Sequence, residues 1–155
     1  MIDALFRCGL RAAYLLLRAY WAVFHPATYG VLVAVWSGGE VLILRTSYAR
    51  HLSMPGGYRR RGESVVAAAV RELREEIGLR VEPSELRPLF TMRHPWMGKD
   101  EHVDVLELHP AVRPAVEIDR REIVAARFFP PAEALALELL PPVRRAIEER
   151  ATTAR

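Results

Sequence analysis

The stretch Gly57–Leu79, GYRRRGESVVAAAVRELREEIGL, decides how this chain is to be read. A basic loop opening on glycine leads into a run from Ser64 to Ile77 with helical periodicity, and Gly78 supplies a residue suited to ending it. On a helical wheel Val66, Ala69, Val70, Leu73 and Ile77 gather on one side, and Glu72, Glu75 and Glu76 on the other. Spacings of three and four residues stack those carboxylates on neighbouring turns, where like charges repel. A divalent cation reverses the sign of that interaction. Hard cations such as Mg²⁺ take oxygen ligands from a few carboxylates together with substrate phosphates. The competing reading is a solvated Glu/Arg face.

The residues around the acids carry the argument further. Gly57, Glu63, Arg71, Glu72, Glu75, Glu76 and Gly78, with Leu73 and Leu79 at apolar positions U, stand at the spacing G-x5-E-x7-R-E-U-x-E-E-x-G-U. This resembles the signature of the Nudix hydrolases, with every defined position filled. The resemblance implies an α/β fold, the Nudix α/β/α sandwich with a mixed β-sheet between helices. It also implies attack of water on phosphorus in a nucleoside diphosphate linked to another moiety. Mg²⁺, with Mn²⁺ as the alternative, is then held by Glu72, Glu75 and Glu76 and by the carbonyl of Gly57. Glu63, Arg71 and Gly78 take structural parts, Arg71 by pairing with Glu63. The general base stays open: it is Glu72 by analogy with some members, and a later loop carboxylate by analogy with others. Glu122, Glu117, Asp119 and Glu101 all qualify for the latter role.

Working outward towards the N-terminus, Met54-Pro55-Gly56-Gly57 forms a turn into the motif. Met54 departs from the Trp or Leu common in similar domains. Tyr29–Trp36 and Glu40–Arg45 are apolar runs joined by Ser37-Gly38-Gly39, a hairpin signal. Arg45 matches a basic residue that ends the second strand in similar domains, and it stands as a substrate contact. Arg59, first of three consecutive arginines, is a further substrate contact or part of a solvated loop. Before the hairpin, residues 1–26 form an amphipathic helical extension broken by His25-Pro26. Arg7, Arg11 and Arg18 share one face of it, which argues against a membrane span or a signal peptide. Three roles compete for residues 1–24: packing on the domain, a homodimer contact, or peripheral contact with a membrane surface.

Towards the C-terminus, Pro88–His94 and His102–Leu108 read as strands separated by a mobile loop, Pro95–Glu101. Pro95 follows Leu79 by sixteen residues, a spacing that in similar proteins points to ADP-ribose. Trp96 is placed to stack on a base or sugar, or to pack on the sheet. His94 and His102 read as ordinary polar residues. Ile123–Phe129 reads as the last strand, and Pro130 and Pro141 open two closing helices. Residues 27–150 thus form one domain and 151–155 a frayed tail.

Composition bounds the rest. The chain has 155 residues, 26% of them charged, a net charge of +3 and the single cysteine Cys8. That excludes a disulfide framework and suits a reducing, cytoplasmic setting. The modest positive balance suits a small-molecule nucleotide and is too small to argue for nucleic acid. What the resemblance implies through Pro95 and Trp96 is a leaning to ADP-ribose or another nucleoside diphosphate sugar. A (d)NTP or oxidised-nucleotide pyrophosphatase is the alternative, and a non-catalytic nucleotide sensor stands behind both.

Overall fold

The computed structural model describes residues 2–153. The order of elements is α1 (Ile2–Phe24), β1 (Ala27–Ser37), β2 (Glu40–Thr46), β3 (Gly56–Tyr58), α2 (Val65–Ile77), a 3-10 turn (Pro83–Glu85), β4 (Arg87–Trp96), β5 (Lys99–Leu108), β6 (Ile123–Phe129), α3 (Pro131–Leu135) and α4 (Pro141–Thr153). The sheet runs β4-β5-β1-β2-β6, with β3 pairing separately to β1. Only β1 and β5 are parallel; the remaining pairs are antiparallel, so the sheet is mixed as expected.

The run Val31–Trp36 is apolar without alternation because both faces of β1 are covered. On one face Val31, Val33, Val35, Leu42 and Leu44 meet Ala68, Ala69, Leu73 and Ile77 of α2. On the other, Leu32, Ala34, Trp36, Val41 and Ile43 meet Val143, Ala146 and Ile147 of α4. This is the expected layering of helices on both sides of the sheet.

The β1–β2 hairpin closes only at Trp36–Val41 and Ser37–Glu40. Beyond that the strands separate, and residues 53–58 wedge between them. Leu44 and Ser53 exchange backbone bonds of 2.7 and 3.0 Å, the Val33 amide donates to Pro55 O at 2.8 Å, and Gly30–Leu32 pair with Gly56–Tyr58. The wedge holds the motif's first glycines inside the sheet instead of on a free loop.

Two expectations are corrected. Pro95–Glu101 is not a loop: β4 and β5 continue towards each other, Trp96 pairs with Lys99, and only Met97 and Gly98 turn. Both turn residues have positive φ (50° and 84°), the backbone that suits the twist of a two-residue hairpin. Met-Gly is a poor sequence signal for that turn beside Asn-Gly, which is why the segment reads as a loop. The last helix also continues past Arg150 to Thr153. The rest of the expected tail, 154–155, lies outside the described residues, as does Met1.

Candidate functional site

Helix α2 is cut to length by its own residues. The Ser64 hydroxyl accepts from the Ala67 amide at 3.1 Å, and Gly78 (φ 68°) ends the helix in the left-handed region, donating to Arg74 O at 3.2 Å. The Glu117 amide donates to Ile77 O and the Asp119 amide to Glu76 O, each at 3.0 Å. These bonds satisfy the helix's last carbonyls and draw the following loop across its end. The Ser47 amide then takes the Glu122 carbonyl at 2.7 Å. Glu122 is thereby fixed beside the acids of α2.

The three motif acids do not share one open face. Glu76 is buried on the core side with Ala69 and Leu73, its Oε2 accepting from the Gly56 amide at 2.8 Å. Glu72 is partly buried, and Glu75 lies exposed. The Arg71 guanidinium draws the motif together. It donates to both Glu63 oxygens (2.8 and 2.9 Å), to Glu72 at 2.6 Å, to Glu75 at 3.2 Å and to Tyr58 O at 3.1 Å. Arg71 therefore holds Glu63, as the resemblance implied, and reaches two further acids that periodicity alone did not connect to it. Those hydrogen bonds hold the Glu63 carboxyl at about 2, below the usual carboxylate range.

Burial works the other way on the deeper acids. Desolvation pushes the Glu76 carboxyl well above its ordinary value; the Gly56 amide opposes this, and the neighbouring charges of Glu72, Glu122 and Glu75 add to it. Desolvation also raises Glu72 despite Arg71 beside it, with Glu75 and Glu122 adding repulsion. Among the described residues no three His, Cys, Asp or Glu side chains are already drawn into a metal-holding group. The donor set nonetheless suits a hard cation: carboxylate oxygens that repel one another, with glycine backbone close against them. A Cβ on Gly57 would stand 2.6 Å from Glu72 Oε1, so only glycine leaves that carboxylate its place.

Glu76 and Glu122, but not Glu72 or Glu75, line a cavity of about 340 Å³ together with Gly56 and Gly57. Much of the wall is apolar or aromatic: Leu44, Met54, Tyr48, Tyr58 and Trp96. Its roof is α1, through Leu10, Ala13, Tyr14, Leu17 and Trp21. The 97–98 turn pins that roof. His25 Nδ1 lies 2.8 Å from Gly98 O, and a Cβ on Gly98 would meet the α1 backbone at 3.0 Å. Trp21, 4% exposed, packs under the helix with Lys99 Nζ 4.6 Å above its ring.

The structure places Glu76, Glu122, Gly57 and Trp96 in the cavity lining, with Glu72 against Gly57 and Glu75 exposed beside Arg71. It does not bring in Arg45 or Arg59. Leu44 and Thr46 line the cavity, so alternation along β2 turns Arg45 to the other face, where it is exposed. Arg59 is engaged within the protein, with Asp104 at 3.3 Å and Glu63 O at 3.1 Å. Among the other carboxylates, Glu101 lines the cavity but is bound to the buried Lys99. Glu117 and Asp119 serve the end of α2 and are not in the lining.

Tyr48 has no motif to announce it, yet its hydroxyl donates to Glu122 Oε1 at 2.6 Å. Burial, then the Glu122 charge, pushes the phenol far up, so it remains a donor. Tyr14 of α1 packs on Tyr48 with ring centroids 5.2 Å apart. Lys99 was equally unmarked, apart from being the only lysine in an arginine-rich chain.

A family model for the NUDIX domain matches residues 25–150. The chain belongs to the Nudix family. Solved Nudix structures share the fold at low identity. A MutT NUDIX hydrolase from Burkholderia pseudomallei is 23% identical, with a TM-score of 0.69 over 79% of this chain and 96% of its own. The E. coli dihydroneopterin triphosphate pyrophosphohydrolase is 21% identical, with a TM-score of 0.67 over 78% and 92%. A bifunctional NMN adenylyltransferase/ADP ribose pyrophosphatase from Francisella tularensis, complexed with AMP and Mn, is 14% identical with a TM-score of 0.74 over 94% of this chain and 48% of its own. A search of curated proteins returns no match. Helix α1 precedes the matched residues, so the cavity roof lies outside the stretch that the family model covers.

Proposed function

We propose that this Nudix protein is a metal-dependent pyrophosphohydrolase. Its substrate is a nucleoside diphosphate linked to another moiety, and the leaning is to ADP-ribose or another nucleoside diphosphate sugar. The observation that carries the reading is the group Glu72, Glu76 and Glu122, mutually repelling carboxylates of which Glu76 and Glu122 line one cavity and Glu72 stands against Gly57 at its edge. Buried acids that repel one another destabilise the fold unless a cation joins them. Glu72, Glu75 and Glu76, with the Gly57 carbonyl, are the residues that would hold Mg²⁺ or Mn²⁺. Once bound, the cation supplies charge neutralisation of the diphosphate and acidifies water.

The chain's own groups do the rest. Glu122 is the general base of this reading: Tyr48 occupies Oε1, which leaves Oε2 to take a proton from water. Trp96 offers a stacking surface on the cavity wall. Arg71 sets the acids without touching substrate. The Pro95 pointer loses force, because Pro95 lies within β4 and not on a loop, so the leaning to a diphosphate sugar rests on Trp96. The ADP ribose pyrophosphatase activity for which the Francisella neighbour is named agrees with it. The E. coli neighbour, named for a triphosphate, keeps the (d)NTP reading as the alternative.

The test is Mg²⁺-dependent hydrolysis of ADP-ribose, nucleoside diphosphate sugars and (d)NTPs, with Glu76→Gln alongside. AMP plus a sugar phosphate, lost in the variant, supports the leading reading. Nucleoside monophosphate plus pyrophosphate transfers support to the alternative. Nucleotide binding with no turnover leaves the sensor.

A further inference from the structure

Helix α1 has two apolar faces, and the cavity uses only one. Turning inward are Leu10, Tyr14, Leu17 and Trp21. Turning outward are Phe6, Leu15, Leu16, Tyr20, Val23 and Phe24, which are 49%, 63%, 74%, 48%, 70% and 66% exposed. On the helical wheel, at about 100° per residue, these six fall with Cys8, Gly9, Ala12, Ala19 and Ala22 in an uncharged arc of roughly 200°. An exposed apolar surface of that continuity marks an interaction site.

The charges say what kind. No acidic residue occurs between Phe6 and Phe24, whereas Arg7, Arg11 and Arg18 edge the apolar arc. Arg7 donates to the Arg120 carbonyl at 2.6 Å, and the Arg121 guanidinium lies 5.2 Å over the Phe6 ring, so the loop after β5 brings one further arginine against the helix. A second copy of the chain offers the same acid-free face, with nothing to answer these cations. An anionic bilayer supplies both an apolar interior and negative charge. Spanning is a different matter: no helix among the described residues is long and apolar enough to cross a membrane.

We propose that the outer face of α1 docks on an anionic lipid surface, with the helix lying in the interface plane. Its inner face continues to roof the catalytic cavity, so docking sets the cavity directly beneath the membrane surface.

The experiment is co-sedimentation of the full chain with vesicles of phosphatidylcholine alone and of phosphatidylcholine mixed with phosphatidylglycerol. A Leu16→Glu/Val23→Glu double variant is run in parallel. Both substituted side chains point to solvent, and far-UV circular dichroism confirms folding of the variant. Binding is expected on mixed vesicles, weakened by salt and reduced at least about tenfold in the double variant. No binding to mixed vesicles at low salt overturns the proposal, as does equal binding by the variant. A dimer seen by light scattering and lost in the double variant also overturns it, by assigning the face to a second copy.

Discussion

Gly56 and Gly57 are neighbours in sequence, yet alanine at each should fail in a different way. At Gly57 a Cβ would stand 2.6 Å from Glu72 Oε1 and 2.9 Å from its Cδ. Restoring an ordinary contact of about 3.4 Å moves the carboxylate back by ~0.8 Å. The Gly57 backbone lies outside the positive-φ region, so alanine fits it without strain. Stability is expected to change by less than ~1 kcal/mol, because the unfolded chain also loses freedom. Turnover is expected to fall about 100-fold, the cost of a misplacement approaching an ångström at a catalytic centre, or ~2.7 kcal/mol in the barrier. At Gly56 the obstacle is backbone. The Cβ would overlap Val31 O and lie 2.9 Å from Leu32 Cα, at a φ of 151°. Strand β1 cannot yield, since β5 holds its other edge. Overpacking and strain together cost ~3–5 kcal/mol, which lowers Tm by roughly 10 °C or more in a domain of this size. Urea unfolding followed by tryptophan fluorescence, Mg²⁺ titration calorimetry and turnover on the best substrate separate the two. Wild-type metal affinity and turnover in Gly57→Ala would refute the placement of Glu72; unchanged stability in Gly56→Ala would refute the wedge.

Three further outcomes are expected. A carboxyl raised in the folded state, as Glu76 is, contributes stability below its unfolded value of about 4.3, and that contribution is lost as pH rises through the folded value. Glu76→Gln keeps an acceptor for the Gly56 amide, so the metal-free variant should out-melt the metal-free wild type at neutral pH, whereas added Mg²⁺ stabilises only the wild type. Identical melting profiles against pH would count against the buried charge. Tyr48→Phe removes the 2.6 Å bond to Glu122 and should lower kcat about tenfold or more with KM little changed; a change confined to KM would deny Glu122 its role as base. Ile147→Ala, on the buried face of α4, should cost ~2–5 kcal/mol in urea unfolding yet leave Mg²⁺ affinity intact; a loss of Mg²⁺ affinity would refute the independence of that layer from the site.

Much of the molecule was legible in its residues. Spacing along Gly57–Leu79 identified the motif, and the caps Ser64 and Gly78 bound α2 where the sequence suggested. Local chemistry decides such features, so a string of residues can carry them. The same string put all three acids together on the side opposite the apolar one, because a helical wheel has no knowledge of which arc the sheet will cover. Burial of Glu76 depends on β3 wedging between β1 and β2, a long-range event. Arg45 and Arg59 lie outside the cavity lining for a like reason: strand alternation and the partner Asp104 decide where those cations point. Tyr48, Lys99 and the inner face of α1 carry no signature, since each joins the cavity only when distant segments meet. Sequence alone determined the motif and the α/β class, through identities at short range. Tertiary structure alone decided which acids are buried, what holds Glu122 and that an N-terminal helix closes the cavity, because those depend on contacts between segments many tens of residues apart.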